Sequence, residues 1–195
     1  MKTRNRLLAA SLAVAIAAAG STGAMAAPPV PLDITAASGP AAPAIPAKTN
    51  PCRIHIAALN DLRSDKTTMG YMSFGMVTSS DGPGWIRSGL KGLDGDARFA
   101  LVDSPEKAEV VMNVELLKSY VLAVNMTKAA TVVFRVRYNG GERSLGDNLY
   151  RGTKDAVNWA GTKSETLGAM NLALVEAVNQ TKADLVKACA AVRGG

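Results

Sequence analysis

Between Ala108 and Gly152 the chain alternates apolar and polar residues with a period of two, and this pattern constrains the fold more than any other feature. Val132, Phe134, Val136 and Tyr138 alternate with Thr131, Val133, Arg135 and Arg137. Successive side chains of a strand point to opposite faces, so one face belongs to a core and the other mostly to water. Val110, Met112, Val114 and Leu116 repeat the pattern against Glu109, Asn113 and Glu115. After Leu116 the phase flips, and Leu117, Val121 and Ala123 become the inward set. One extra residue near Leu116-Leu117 moves every later side chain across the sheet, so a bulge or sharp twist is expected there. Asn139-Gly140-Gly141 supplies residues that tolerate positive φ, as a tight hairpin requires. Leu149 and Arg151 then lead a weaker third strand that ends at Gly152.

The flanking elements follow from the same reasoning. Arg53 to Leu59 reads as a first strand with Ile54, Ile56 and Ala58 on one side. Asn60 to Gly84 shows no clear period and reads as a long loop, with room for a short strand over Tyr71 to Met76. Trp85 to Leu93 carries Ile86, Leu90 and Leu93 at helical spacing, weakened by Gly89 and Gly92. Asp94-Gly95-Asp96 turns the chain into a strand from Arg98 to Val102. Thr162 and Glu165 have the spacing of a capping box. Beyond them Leu167, Met170, Leu174, Val178, Thr181, Leu185, Cys189 and Val192 form one stripe of a long helix. A coiled coil is the alternative, but the stripe drifts and is rich in alanine. The expected fold is α+β: a single mixed, mainly antiparallel sheet with a short helix and a long C-terminal helix packed on one face.

The first fifty residues belong to export rather than to this fold. Lys2, Arg4 and Arg6 precede an apolar run from Leu7 to Ala19 and a small-x-small site at Ala24-Met25-Ala26. This is the pattern of a secretory signal peptide over residues 1–26, cleaved near Ala26. The run is shorter than the roughly 20 residues of a membrane span, so the mature chain is expected to have no transmembrane segment and to reside in the periplasm or outside the cell. Residues 27–51 are rich in Pro and Ala and read as a disordered linker. The folded domain is residues 52–195. Removing Lys2, Arg4 and Arg6 takes three charges from the formal +6. What remains is too scattered to argue for nucleic acid.

Few residues carry recognisable chemistry. Two cysteines in an exported chain, Cys52 and Cys189, are most simply a disulfide joining the ends of the domain. His55 is the single histidine, which rules out a pair of histidine ligands. No nucleophile turn accompanies it, and Asp94 and Asp96 flank a glycine as turn residues do. No catalytic residue and no cofactor is assigned, and the chain is expected not to be an enzyme. Met69, Met72 and Met76 are soft thioethers at a spacing that suits Cu(I). Their plainer reading is flexible packing beneath a loop. Asp61, Arg63, Lys66, Tyr71 and Phe74 combine charge with adaptable apolar surface and form the candidate binding loop.

At Leu59-Asn60-Asp61-Leu62-Arg63-Ser64-Asp65-Lys66 and Gly70 the chain resembles the YajG-like family of small bacterial envelope proteins. The likeness continues through Ala108 to Val114, Lys128 to Arg137, Tyr150-Arg151 and Asn171 to Leu174. Members are usually lipid-anchored, whereas no cysteine follows the cleavage region here, so membrane attachment is not implied. The resemblance implies a non-enzymatic envelope accessory whose partner is another envelope protein. The alternatives are a periplasmic small-molecule or Cu(I)-binding protein and, third, a hydrolase built around His55.

Overall fold

The computed structural model describes Leu32–Asp33, residues 50–157, Trp159 and residues 161–194. The expected signal peptide, residues 1–26, lies outside the described residues, as does most of the expected linker. Among the described residues the sheet has eight strands: β1 (Leu32–Asp33), β2 (Cys52–Asp61), β3 (Thr68–Met72), β4 (Gly75–Thr78), β5 (Phe99–Leu101), β6 (Val110–Val124), β7 (Thr127–Gly140) and β8 (Arg143–Val157). Two helices join them, α1 (Gly82–Lys91) and α2 (Lys163–Arg193). The expected α+β class, with a mixed sheet, a short helix and a long C-terminal helix, is what the structure shows.

The long strand β6 organises the sheet. One edge pairs antiparallel with β7 along its whole length, and β7 in turn pairs antiparallel with β8. The other edge is shared: β2 runs parallel to Val110–Leu116, and β3 runs parallel to Val121 and Leu122. β5 extends the first branch beyond β2, and β4 and β1 extend the second beyond β3. The register of β6 against β7 shifts between Leu116 and Lys118, where the alternation of the sequence changes phase. Gly141, at φ +61°, turns β7 into β8.

One face of the sheet holds the core. Val110, Met112, Val114 and Leu116 of β6 and Val132, Phe134, Val136 and Tyr138 of β7 are buried there. Helix α2 covers β8, β7 and β6, while α1 lies over β2 and against α2. The Trp85 indole N–H donates to Asn171 Oδ1 at 2.8 Å and so locks the helices together. Buried tyrosines are satisfied in the same layer: the Tyr138 and Tyr150 hydroxyls lie 2.7 Å apart, and Tyr150 donates to Asp184 on α2. Thr162 caps α2 by accepting from the Glu165 amide.

The structure differs from the sequence reading in several places. The stretch expected as a loop with a short strand at 71–76 is a hairpin, β3–β4, with two residues between its strands. Its alternation is hidden by a register shift between Thr68 and Tyr71. Helix α1 starts at Gly82 because Pro83 falls in the first turn, where a missing N–H has no partner to lose; the Asp81 carboxylate accepts from the Gly84 amide at 2.6 Å. Strand β8 runs on past Gly152 to Val157, and its helix-facing positions there, Gly152, Lys154 and Ala156, include no large apolar side chain to mark it in the sequence. Finally, Leu32–Asp33, inside the expected disordered linker, pairs with Val77–Thr78. The free edge of β4 offers the unpaired backbone groups that such a segment can take up.

The end of α2 is fastened at the start of β2. Cys189 is bonded to Cys52, and Arg193 donates to Glu109 at 2.6 Å and to the Pro51 carbonyl at 2.9 Å. Hydrogen bonds from Arg193, together with the amide of Arg53, outweigh partial burial and pull the Glu109 carboxyl down to about 2. A carboxyl depressed on folding adds stability that is present above its unfolded value, 4.5, and lost as pH falls through about 2. The stability of E109Q should therefore fall less than that of wild type between those limits in urea unfolding. Asp96, held at about 2 by Arg98, leaves a residual slope in both. Identical slopes would show that Glu109 does not contribute.

Candidate functional site

The face of the sheet opposite the helices has no covering layer among the described residues. Its polar half is self-satisfied. Glu115 pairs with Arg137 at 3.0 Å and Arg135 at 3.5 Å, and Asp147 lies 3.3 Å from Arg137 and 3.6 Å from Arg135. Exposed pairs of this kind add little stability each. They do leave the middle of the face with few uncommitted charges.

The other end of that face is apolar. Strands β6 and β7 are joined by Asn125 and Met126, with Asn125 in the left-handed region at φ +55°, which asparagine tolerates well. Thr127 braces the turn by donating its hydroxyl to the Val124 carbonyl. Tyr71 sits beside Leu122 in register, Val124 is opposite Thr127, and Thr127 is opposite Val157. These pairings put Tyr71, Leu122, Val124 and Val157 on one face, with Met126 at the turn and Trp159 just beyond β8. All six are between 45% and 82% exposed. Large apolar groups gathered this way are uncommon on a surface with no partner.

The structure distributes the sequence-derived candidates unevenly. Tyr71 belongs to the apolar patch. Arg63 does not serve a binding loop: it is buried, and its guanidinium grips both oxygens of Asp61 at 2.9 and 2.7 Å. It also donates to the Lys66 carbonyl at 2.8 Å, so the pair closes the 62–67 turn from inside. Asp61 and Arg63 are therefore a structural brace. Lys66 is exposed, and Phe74 packs against the core. The methionine trio does not converge. Met69 and Met72 are buried in the core, whereas Met76 pairs with exposed Tyr71, on the face opposite Met72. Successive strand residues face opposite ways, which puts Met76 on the other side of the sheet from Met72. The His55 ring lies with Nδ1 3.1 Å from the Val102 carbonyl.

Leu122, Val124, Met126, Val157 and Trp159 were not singled out in the sequence. A signal existed: Val121, Leu122, Ala123 and Val124 form a run in which both alternating positions are apolar. A strand with one wet face does not need that. No helix among the described residues is long and apolar enough to cross a membrane.

No family model matches the chain, and no curated protein matches it. Solved structures do. Protein XCC0632 from Xanthomonas campestris, assigned to the DUF330 family, aligns with TM-score 0.56 over 85% of this chain and 98% of its own, at 8% identity. The hypothetical protein CT253 from Chlamydia trachomatis aligns with TM-score 0.52 over 72% and 99%, at 11% identity. The lipoprotein GNA1162 from Neisseria meningitidis is a looser match, with TM-score 0.39 over 69% and 99% at 13% identity. At such identities the first two likenesses establish the fold, and the fold is what this chain shares with them.

Proposed function

We propose that this protein is an exported accessory of the cell envelope that acts by holding another envelope protein against the open face of its sheet, without catalysis. The observation that supports this reading is the contiguous apolar end formed by Tyr71, Leu122, Val124, Met126 and Val157, exposed beside a self-paired charge network. Such a surface suits a partner that brings apolar side chains, with Tyr71 and Met126 as adaptable anchors. The signal-peptide pattern at the start of the sequence supports the envelope part of this reading.

The test is site-specific photo-crosslinking in living cells. Positions Val124 and Val157 on the open face are compared with Glu176 on α2. A discrete adduct with one envelope protein from the open face, absent at Glu176, is the expected result. Serine at Tyr71 and Met126 should abolish the adduct while moving stability by no more than about 0.5 kcal/mol, as for exposed sites generally. Adducts formed at Glu176 alone would assign recognition to the helical face instead.

A further inference from the structure

We propose a second, separate binding site: the cleft between β2, β5 and the last turns of α1 takes a small organic carboxylate with an apolar body. The cleft arises from unequal strand lengths. β5 stops at Leu101 while β2 continues to Asp61, so the outer edge of β2 is uncovered beyond Ile54. The space left is about 180 Å³, walled by Ile56, Leu101 and Val102.

Two cations face it from α1, Arg87 and Lys91. The Arg87 guanidinium is fixed in place by donating to the Ile56 carbonyl at 2.9 Å and the Ala57 carbonyl at 3.0 Å. Both acceptors are neutral, so its charge is positioned but not compensated. Further N–H groups of the fork stay available for a carboxylate. Lys91 makes no hydrogen bond or ion pair among the described residues. Asp103, on the opposite rim, is already engaged by Lys107 at 3.0 Å. Arg87 and Lys91 also stand four residues apart on one helix, a like-charge spacing that disfavours the helix unless an anion lies between them.

The fourth side is His55. A carbonyl only accepts, so the contact with Val102 places the proton on Nδ1 and leaves Nε2 without a partner among the described residues. The cleft thus joins a planar donor fork and an exposed ammonium to an apolar pocket of small size. A short-chain carboxylate matches both halves.

The experiment is an amide NMR titration of the purified protein with butyrate, with butyramide as the uncharged control and inorganic phosphate as a second anion. Butyrate should shift the amides of His55 and Leu101 to Asp103 saturably, and butyramide should not. Lys91→Gln should weaken butyrate about tenfold or more, the loss typical of a charged hydrogen bond. Lys91 has no part in the fold's bonding, so this loss reports ligand rather than folding. Arg87→Lys should weaken it too, with the charge kept and the fork lost. An equal response to butyramide, unchanged affinity in Lys91→Gln, or phosphate shifting these amides while butyrate does not would overturn the proposal. Serine at Tyr71 and Met126 should leave the titration unchanged, which separates this site from the open face.

Discussion

Replacing Gly152 with alanine is expected to destabilise the protein by about 3 kcal/mol, the upper end for inserting a single methyl into a packed interface. A β-carbon at Gly152 would lie 1.7 Å from the Ala173 carbonyl oxygen and 2.8 Å from the Ala177 amide nitrogen. Those atoms are helix backbone, so no rotamer change can make room. Helix α2 must instead lift off β8. Ala169, Ala173 and Ala177, spaced by four, are the small residues that let the helix approach so closely, and all three are buried. The internal control is Gly168→Ala, on the same helix, where an added β-carbon meets nothing within 4 Å. That change should stabilise the protein by about 0.5–1 kcal/mol through helix propensity and a less flexible unfolded chain. Urea unfolding followed by the fluorescence of Trp85, which is buried, and Trp159 reads both. A Gly152→Ala variant within about 1 kcal/mol of wild type would mean that the helix is not seated on β8 as described.

The same close packing explains what the sequence concealed. The alternation of β6 and β7 was legible because one face is buried by large side chains, and the bulge at Leu116–Lys118 was legible because it inverts that alternation. From Gly152 onward the helix-facing residues are Gly152, Lys154 and Ala156, which carry no hydrophobic signal although Gly152 makes a very tight contact with α2. Hairpin β3–β4 was obscured by Gly70. At φ +119°, with a would-be β-carbon 1.8 Å from the Val121 carbonyl oxygen, it looks like a loop glycine but allows two strands to touch. The stripe of α2 was read correctly because its large residues, Met170, Leu174, Val178 and Leu185, face the core. Function was less legible than fold. Arg63 and Asp61 have the composition of a recognition loop, and only their burial reveals a brace. Arg87 and Lys91 are unremarkable on a helix until β5 ends early beside them.

Breaking the bond between Cys52 and Cys189 is expected to cost about 2–5 kcal/mol, because it closes a loop of 137 residues in the unfolded chain. The bond joins the first residue of β2 to the last turns of α2, so it ties together elements that are formed at opposite ends of the domain. Both sulfurs belong to buried residues. The native fold does not depend on the bond alone: Arg193 still grips Glu109 and the Pro51 carbonyl, and α2 still lies across three strands. The reduced protein should therefore remain folded, with unchanged far-ultraviolet circular dichroism, and unfold at a lower urea concentration. The double variant Cys52→Ala, Cys189→Ala should unfold at a midpoint close to that of the reduced wild type, and reductant should not lower it further. This second comparison distinguishes loss of the cross-link from a side effect of the reductant. Reactive thiols in the denatured, unreduced protein, or a wild-type midpoint indifferent to reductant, would show that the two ends are held by packing alone.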